Sequence, residues 1–560
     1  MAAPSHLVIR RQPDNNSQTG ESFTECVLLG TLACAISILG FLYFFWRGEI
    51  LLYGDAIAHI NIARRVFDSR TPGPLQLGTV WLPLPHVLMI PFLISGWMWR
   101  TGVGGSLVSM AAYVAGVLGI FRLVRNGLAF ISASPGAARA ASWLAAVIYA
   151  ANPNLIYLQA TAMTESLNLA LFVWAMVYFS EFSYEVLATS VVEHGSEIRA
   201  TRFLMRCGWL LMASMLTRYD GWFAGGCFAV ATLGVVWVAG RNQGQGWRRP
   251  LVKFLLITAA APMLWFAYNA FVWGNPLEFA TGPYSARGIE QRTRRPGDPH
   301  HPGWHSTRVA ALYFVKAAEL NLGEFKPQST WFPMAVLGTG LVLVLARPLT
   351  RWLLLWAPLP FYALSMAYGG VPIFIPSWWP FSYYNVRYGI QLLPAIAVFG
   401  AATLFFLMRW TRSQFWQAGV VTAAFSLVAA AYLQAWMAVP ISLQEAQVNS
   451  RAKAVLERSL AHRLQQLPAS ATLLMYIGEH GGSLQQAGIP LRRTINEGNY
   501  RIWNRALLAP AEDADFVVAG AGDPVAAAVE AHPQGLETME VVRTPEQGVV
   551  TIYRSTLRAR

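Results

Sequence analysis

The sequence has 560 residues, of which 55% are hydrophobic and only 13% charged, and its formal net charge is +13. Because an ordinary soluble protein has about 25% charged residues, this composition excludes an ordinary soluble globular chain. Apolar runs long enough to cross about 30 Å of hydrocarbon recur between residues 26 and 436. The short alternating strands of a membrane barrel do not occur, so these runs are predicted to be membrane-spanning helices.

The first apolar run, Cys26 to Trp46, is predicted to be an uncleaved first span. It is too long for the core of a signal peptide, and no small-residue cleavage site follows it. Ten further runs bring the predicted number of spans to about eleven. They lie at 26–46, 104–124, 138–153, 165–183, 207–219, 220–240, 252–272, 330–347, 351–368, 387–408 and 414–436.

Basic residues predict the orientation of these spans. The short loop 152–164 has no Lys or Arg, whereas the segments that alternate with the outside loops are basic. The positive-inside rule therefore places the N-terminal segment 1–25 in the cytoplasm, and an odd number of spans places the tail outside. Two long outside loops, 47–103 and 273–328, are also basic. Long loops are weak evidence for topology, so these two do not change the predicted orientation, and their charge has another cause. The predicted inside segments are 1–25, 122–139, 181–206, 241–253, 347–351 and 409–412.

The composition changes after the last apolar run. Residues 437–560 have twelve basic and twelve acidic residues, so the net charge of the chain belongs to the membrane part, 26–436, and its flanking segment. A polar helix over about 441–466 and interspersed helical segments predict a small α/β domain. Gly478–Gly482 matches no phosphate-loop spacing and is interpreted as a turn. The predicted strands are Thr472–Ile477, Leu491–Asn496, Asp515–Ala519 and Val549–Tyr553.

The first outside loop contains the most informative group of residues. If residues 55–66 form a helix, Asp55 and His59 are neighbours on one face. An Asp at a helix start is commonly an N-cap, but beside a span a carboxylate is costly and usually has a role. Arg64 and His86 belong to the same loop, and the apolar stretch 86–99 is predicted to lie along the membrane surface.

These features resemble the GT-C glycosyltransferases. An uncleaved first span, Asp55 at the start of the first outside loop, a surface helix and a Pro-rich stretch are typical of that superfamily. The segment Asn385–Pro394, with Arg387 and Tyr388, resembles the Arg-Tyr…Pro entry to a late span. More narrowly, the chain is similar to bacterial relatives of protein O-mannosyltransferases and of the aminoarabinose transferase that modifies lipid A. Many members have Asp-Glu at the catalytic position, where this sequence has Asp55 and Ala56.

The resemblance implies an enzyme of the inner (plasma) membrane with a periplasmic or extracellular C-terminal domain. Its donor would be a sugar on a polyprenyl phosphate, and its acceptor a protein, lipid or glycan. Phosphate has a second pKa of about 6 and leaves without a general acid, so one base suffices where a glycosidase needs two carboxylates. Asp55 is the predicted base, attack opposite the lipid would invert the anomeric centre, and no cofactor is implied.

Cationic residues are needed where phosphate charge develops. Arg387, beside Tyr388, is the predicted phosphate ligand, with a snorkelling interfacial Arg as the alternative. Arg218 and Asp220 lie between two apolar runs and are either a structural pair or substrate contacts. Glu165 is either a second site carboxylate or a helix-start charge. The predicted substrate-binding set is His59, Arg64, His86, Glu165, Arg218, Asp220, Arg387 and Tyr388.

The loop over 282–308 is predicted to be a cationic flap over an anionic lipid headgroup. Its His-x₃-His spacing is compatible with a metal, but Pro- and Gly-rich loops of this kind more often hold none. Nucleic acid is excluded as a ligand of this loop, because the loop lies on the outer face of a membrane protein. Membrane lipids are its expected surroundings. The basic and aromatic residues of this loop include Tyr284, Arg287, Arg292, Arg294, Arg295, His300, His301, Trp304, His305 and Arg308.

Two other functions are compatible with a chain of many spans. A transporter or flippase of a lipid-linked or anionic substrate would tolerate charge within the membrane, but such proteins usually have internal repeats, and none is found here. A catalytically inactive scaffold would present the C-terminal domain, but Asp55 and Arg387 are both intact. The glycosyltransferase hypothesis is therefore preferred.

Overall fold

The computed structural model of the chain describes residues 16–132, 134–188, 194–243, 247–293, 297–323, 330–411, 413–545 and 547–558. Most of the predicted cytoplasmic segment lies outside the described residues. So do Arg294 and Arg295 of the long basic loop and the side chain of Arg292.

Helices make up most of the described chain. In chain order they begin with α1 (Asn16–Trp46), α2 (Gly54–Arg65), α3 (Leu84–Leu93), α4 (Gly96–Thr101), α5 (Val103–Ile131), α6 (Pro135–Ala150), α7 (Pro153–Gln159), α8 (Glu165–Ala188), α9 (His194–Met215), α10 (Asp220–Gln243), α11 (Arg248–Trp273) and α12 (Glu278–Thr281). They continue with α13 (Ala286–Thr293), α14 (Thr307–Leu322), α15 (Trp331–Leu345), α16 (Pro358–Tyr368), α17 (Leu393–Trp410), α18 (Gln414–Met437), α19 (Ile441–Leu464), α20 (Ile477–Ala487), α21 (Arg501–Leu508), α22 (Pro510–Asp513) and α23 (Pro524–Ala531). Short 3₁₀ helices lie at Pro74–Leu77, Arg347–Trp356, Val386–Leu392, Leu491–Arg493 and Glu497–Asn499.

The chain divides into two compact units. The first comprises the residues up to Tyr43 with Ser109–Ala160 and Thr164–Glu445. The second comprises Phe44–Val108, Thr161–Met163 and Ala446–Arg560. The first outside loop and the C-terminal domain therefore belong to the same unit, although about 340 residues of sequence separate them.

Seven described helices are long and apolar enough to cross a membrane, and they coincide with seven of the predicted spans. The other four predicted spans are helical over most of their length. They overlap α6, α9 and α15, and the last of them, 351–368, is divided between the 3₁₀ helix Arg347–Trp356 and α16. The predicted fifth span, 207–219, corresponds to the second half of α9. The first half of this helix is charged, so the sequence predicts a loop there. The prediction of a multi-span helical membrane protein is confirmed, and the number eleven stays a prediction.

Helix α17 is buried along nearly its whole length within the first unit. Gly338 of α15 allows the close approach of these two helices, because a Cβ at this position would lie 1.9 Å from the Phe399 carbonyl oxygen. Thr403 adds an interhelical hydrogen bond to the Met334 carbonyl at 2.8 Å. Small residues at a helix crossing, with a hydroxyl across it, are typical of packing in lipid.

The second unit contains a five-stranded sheet in the order β2-β1-β3-β5-β4. Strands β1, β2 and β3 are parallel, and β5 pairs antiparallel with both β3 and β4. The crossovers α20, α21–α22 and α23 complete an α/β domain, as predicted from the sequence. The strands are β1 (Leu473–Met475), β2 (Thr494–Ile495), β3 (Phe516–Gly520), β4 (Leu536–Val542) and β5 (Val550–Ser555).

Four strands were predicted near their observed positions, and β4 was missed. Most β4 side chains are partly or fully exposed, so its sequence lacks the apolar alternation that identifies a strand. The interpretation of Gly478–Gly482 as a turn is wrong, because these residues lie in the first half of α20. Gly481 and Gly482 are buried there, which identifies them as positions of close packing.

His480 of α20 predicts a pH-dependent stability of the second unit. Burial, assisted by the charge of Lys453, lowers the pKa of His480 to about 4. The unfolded chain, with a His pKa of about 6.5, binds a proton in this interval that the folded chain does not, so stability is lost as the pH falls from about 6.5 towards 4. The loss should reach about 3 kcal/mol.

We expect His480→Gln to remove this part of the pH dependence, as measured by thermal unfolding of the full chain in detergent between pH 7.5 and 4. His462→Gln, at an exposed position of α19, is the matched control and should retain the wild-type slope. An unchanged slope in His480→Gln would contradict the assignment.

Candidate active site

Asp55 lies in the first turn of α2, as the resemblance required. The N-cap of this helix is Tyr53, whose backbone is extended and whose side chain makes no capping hydrogen bond. The interpretation of Asp55 as an N-cap is therefore wrong. As the second helical residue, half-buried, it lies where the helix dipole favours a negative charge.

His59, one turn after Asp55, contacts His86 of α3. Nδ1 of His59 lies 2.9 Å from Nε2 of His86, and both rings are buried. Burial, together with the neighbouring His59, holds the pKa of His86 well below its usual range. A neutral imidazole donates through one nitrogen and accepts through the other, so the pair is joined by a single N–H group. This contact ties the Asp55-bearing face of α2 to α3.

Arg64 is held by structural contacts at the end of the same helix. Its Nε donates to Asp68 at 2.8 Å, and its Nη1 donates to the carbonyls of Leu93 and Ile94. The guanidinium also lies 5.0 Å from the ring centre of Trp99. The predicted surface helix 86–99 is broken between Leu93 and Gly96, and Arg64 binds the carbonyls at that break. A role in substrate binding stays a prediction.

The remaining predicted site residues cluster in the first unit around Glu165. This carboxylate is fully buried at the start of α8. Its Oε1 lies 3.2 Å from Nη1 of Arg218 and 3.4 Å from Nε of Arg387. Both arginine side chains are largely buried, at 14% and 7% exposure. One carboxylate oxygen is therefore placed between two guanidinium groups.

Each arginine has a second carboxylate partner. Arg218 Nε lies 3.4 Å from Asp220, and Arg387 Nη1 donates to Glu445 at 2.9 Å. Glu445 also accepts from the Arg387 backbone N–H at 3.0 Å. The structural pair proposed for Arg218 and Asp220 thus exists, as part of a larger network. The snorkelling interpretation of Arg387 is wrong, because its guanidinium is buried among carboxylates.

Aromatic and amide side chains complete this network, which we call the arginine–carboxylate cluster. The Tyr362 hydroxyl accepts from Arg218 and donates to Asp220, each at 2.9 Å. Both guanidinium groups pack on the ring of Tyr388, at 5.0 and 5.1 Å from its centre. A cation above an aromatic face gains about 0.5 to 2 kcal/mol. Tyr388, predicted only from its neighbour Arg387, is therefore central to the cluster.

Two residues that contact the arginines directly, Glu445 and Tyr362, were not predicted from the sequence. Glu445 is the fifth residue of the polar helix α19, and its only sequence signal is an acidic residue close after an apolar run. Tyr362 lies within a predicted span, where a tyrosine attracts no attention. Asn168 was also missed; its amide donates towards Asp220 and towards Gln391 at 3.3–3.4 Å.

The long basic loop contacts the end of α16. Arg287 donates to the Tyr368 carbonyl at 2.7 Å, and the His305 backbone N–H donates to the Ala367 carbonyl at 3.0 Å. His300 stacks on Trp304 with the ring centres 4.3 Å apart. Among the described residues, no group of three or more His, Cys, Asp or Glu side chains has the arrangement of a metal site.

Glu165 provides a test of how far the cluster supports the fold. Removing one partner from a buried ion pair typically destabilises by 3–5 kcal/mol, but each arginine here retains another carboxylate. We therefore expect Glu165→Gln to lower the free energy of unfolding by about 2–3 kcal/mol, measured in detergent. Glu185→Gln, which breaks the exposed pair with Arg199, is the matched control and should cost below about 1 kcal/mol. Equal stability of the two variants would contradict the network.

The fold is similar to that of a solved membrane protein. ArnT from Cupriavidus metallidurans, bound to undecaprenyl phosphate, matches with a TM-score of 0.55 at 13% identity, over 94% of this chain and 97% of that one. Its apo state matches with a TM-score of 0.54 at 13% identity, over 96% and 98%. Archaeal AglB from Archaeoglobus fulgidus, in complex with an inhibitory peptide and a dolichol-phosphate, gives 0.44 at 13% identity, over 88% and 69%. No family model and no curated protein sequence matches the chain.

The chain is thus a multi-span helical membrane protein with a small C-terminal sheet domain. Its fold is similar to that of ArnT over nearly the full length of both chains. This likeness confirms the predicted fold, a multi-span helical part followed by a small C-terminal α/β domain.

Proposed function

We propose that this protein is a membrane glycosyltransferase that moves a sugar from a polyprenyl phosphate to an acceptor outside the inner membrane. The observation that carries the proposal is the ArnT fold, seen in a structure bound to undecaprenyl phosphate and matched over 94% of this chain. Asp55 at the start of α2 and the arginine–carboxylate cluster are the two groups of residues to which the chemistry is assigned.

The proposed reaction needs one base. An acceptor O–H or N–H attacks the anomeric carbon while the bond from that carbon to the phosphate oxygen breaks, and the lipid phosphate leaves with the electron pair. The proton of the acceptor goes to the Asp55 carboxylate. A phosphate leaving group needs no general acid, so a second catalytic carboxylate is unnecessary. Displacement in one step inverts the anomeric centre.

The proposed role of Arg387 is to hold the phosphate as its negative charge grows. A guanidinium binds two phosphate oxygens in one plane, and its charge acts most strongly in a site with little water. Glu165 and Glu445 fix the orientation of the Arg387 fork. Arg218 is the second candidate cation, since it shares Glu165 and the ring of Tyr388 with Arg387.

The proposed location is the inner (plasma) membrane, with a cytoplasmic N-terminus and the C-terminal domain outside. The distribution of Lys and Arg over the inside segments supports this orientation. A donor with a polyprenyl tail remains in the membrane, which agrees with a site assembled near the ends of membrane helices such as α8 and α10.

Purified protein in liposomes tests the proposal directly. Polyprenyl phosphates with different sugars are supplied together with an acceptor extract, and the release of lipid phosphate is measured. We expect release with at least one sugar, dependent on the acceptor. If wild-type protein releases none but moves a labelled lipid phosphate between leaflets, the transporter hypothesis replaces this one.

A further inference from the structure

The C-terminal domain contacts the helix that carries Asp55 through three amide and indole groups. Asn61, on the buried face of α2, is 6% exposed, and Gln485 of α20 is 1% exposed. Trp99 of α4 donates from Nε1 to Asn61 Oδ1 at 2.9 Å, and Asn61 Nδ2 donates to Gln485 Oε1 at 3.3 Å. Gln485 Nε2 then donates to the Trp99 carbonyl at 2.8 Å. The three hydrogen bonds form a closed ring between α2, α4 and α20.

The ring depends on close packing between α20 and α2. Gly481 of α20 faces the Asn61 amide, and a Cβ at this position would lie 3.4 Å from Asn61 Nδ2, at ordinary van der Waals distance. All three side chains are buried, and a buried amide without its partner is costly. The ring therefore allows one orientation of Asn61, and with it one rotation of α2 about its axis.

A second set of contacts fixes the chain that leaves α2. Asp68 accepts from Arg64 at one oxygen and from the Arg492 backbone N–H at the other, at 2.8 and 3.3 Å. Gln76 Nε2 donates to the Gly498 carbonyl at 2.7 Å. Asn499 Nδ2 donates to the hydroxyls of Ser69 and Thr71, at 3.1 and 3.0 Å. Both ends of the segment after α2 are thus bound to the C-terminal domain.

In the part of this domain that the structure describes, carboxylates of the chain itself lie at the usual ligand crevice of the sheet. In a doubly wound sheet, ligands bind at the carboxyl ends of the strands where the crossovers diverge, here between β1 and β3. Carboxylates of the chain itself occupy the two helix starts at this point. Glu497 accepts from the Ile477 N–H at 3.0 Å, and Asp523 accepts from Gly520 and Ala526 at 2.8 and 2.7 Å. Another surface of the domain contacts α2 and the chain that follows it.

We infer that the C-terminal domain positions the Asp55 helix, with Asn61 and Gln485 as the positioning residues. The inference rests on the proposed function, in which Asp55 is the base. Asp55 and Asn61 are six residues apart on one helix, so a rotation or shift of α2 moves the carboxylate relative to its substrate. A displacement of about 1 Å can lower a rate by about 100-fold.

The test compares Gln485→Ala with wild type in the full chain, by release of lipid phosphate from liposomes. We expect kcat per folded molecule to fall at least tenfold, while KM for the lipid donor changes less than twofold. Hydrogen exchange at the α2 amides should become faster. Gln466→Ala, at an exposed position of the same domain, is the matched control and should behave as wild type. If Gln485→Ala yields too little folded protein, Gln485→Glu, which keeps the acceptor for Asn61, is measured in the same way.

The outcomes separate this inference from the proposed function. If the Gln485 variants have the wild-type kcat while Asp55→Asn is inactive, the positioning role is overturned, and the assignment of Asp55 as the base is retained. If the Gln485 variants give a lower yield of protein but an unchanged kcat per folded molecule, the role of Gln485 is merely structural. This result would also overturn the positioning role. Full activity of Asp55→Asn would instead overturn the proposed function on which the inference rests.

Discussion

Replacing Asp55 with Asn is expected to lower the rate of sugar transfer by about 100- to 10,000-fold, the usual contribution of a general base. The amide is nearly the same size as the carboxylate but does not accept the proton of the acceptor. Because Tyr53 rather than Asp55 is the N-cap of α2, the substitution leaves the capping residue of the helix unchanged. Expression, membrane insertion and the unfolding temperature should therefore remain close to wild type.

The measurement is release of lipid phosphate from liposomes, with Glu197→Gln as the matched control. Glu197 is also acidic, half-buried and in the first turn of its helix, α9. Its loss should leave turnover unchanged. Wild-type turnover by Asp55→Asn would remove Asp55 from the reaction and, with it, the single-base mechanism.

Replacing Arg387 with Lys is expected to lower turnover by about 30- to 1,000-fold, which corresponds to about 2–4 kcal/mol of transition-state stabilisation. Lysine keeps the charge but loses the planar fork. In the folded chain that fork faces Glu445 through Nη1 and Glu165 through Nε, and one ammonium group cannot replace both contacts in the same geometry. Because phosphate charge grows as the sugar departs, kcat should fall more than donor affinity.

Arg122→Lys is the matched control for this substitution. Arg122 binds both oxygens of Glu181, at 2.8 and 2.9 Å, in a segment predicted to face the cytoplasm. Its replacement should reduce stability less than that of the more buried Arg387, and it should leave turnover per folded molecule unchanged. If Arg387→Lys retains wild-type turnover per folded molecule, Arg387 serves the fold of the first unit and does not bind the donor phosphate.

Much of the fold could be predicted from the sequence, because lipid restricts what an apolar segment does. A run such as residues 387–408 must satisfy its own backbone polar groups, and a helix is the structure that does so. The C-terminal domain was recognisable from its balanced charge and its short β-rich runs. Strand β4 was not, because its exposed side chains follow no apolar pattern.

The candidate site could be predicted in part. Asp55, Glu165, Arg218 and Arg387 were selected because charged residues beside apolar runs are costly unless they have a partner or a role. Their partners could not be selected in the same way. Glu445 lies 58 residues from Arg387 and looks like one acidic residue in a polar helix.

The sequence by itself determined the class of protein, the helical spans and the helix that begins beside Asp55, because these follow from local composition and periodicity. Only the tertiary structure decided which side chains meet. Asn61 and Gln485 are 424 residues apart, and their hydrogen bond exists because folding packs α20 against α2. Glu165 comes to lie between two arginines because the ends of three separate helical segments converge on it. Such partners depend on the packing of distant segments, for which a single sequence carries no local signal.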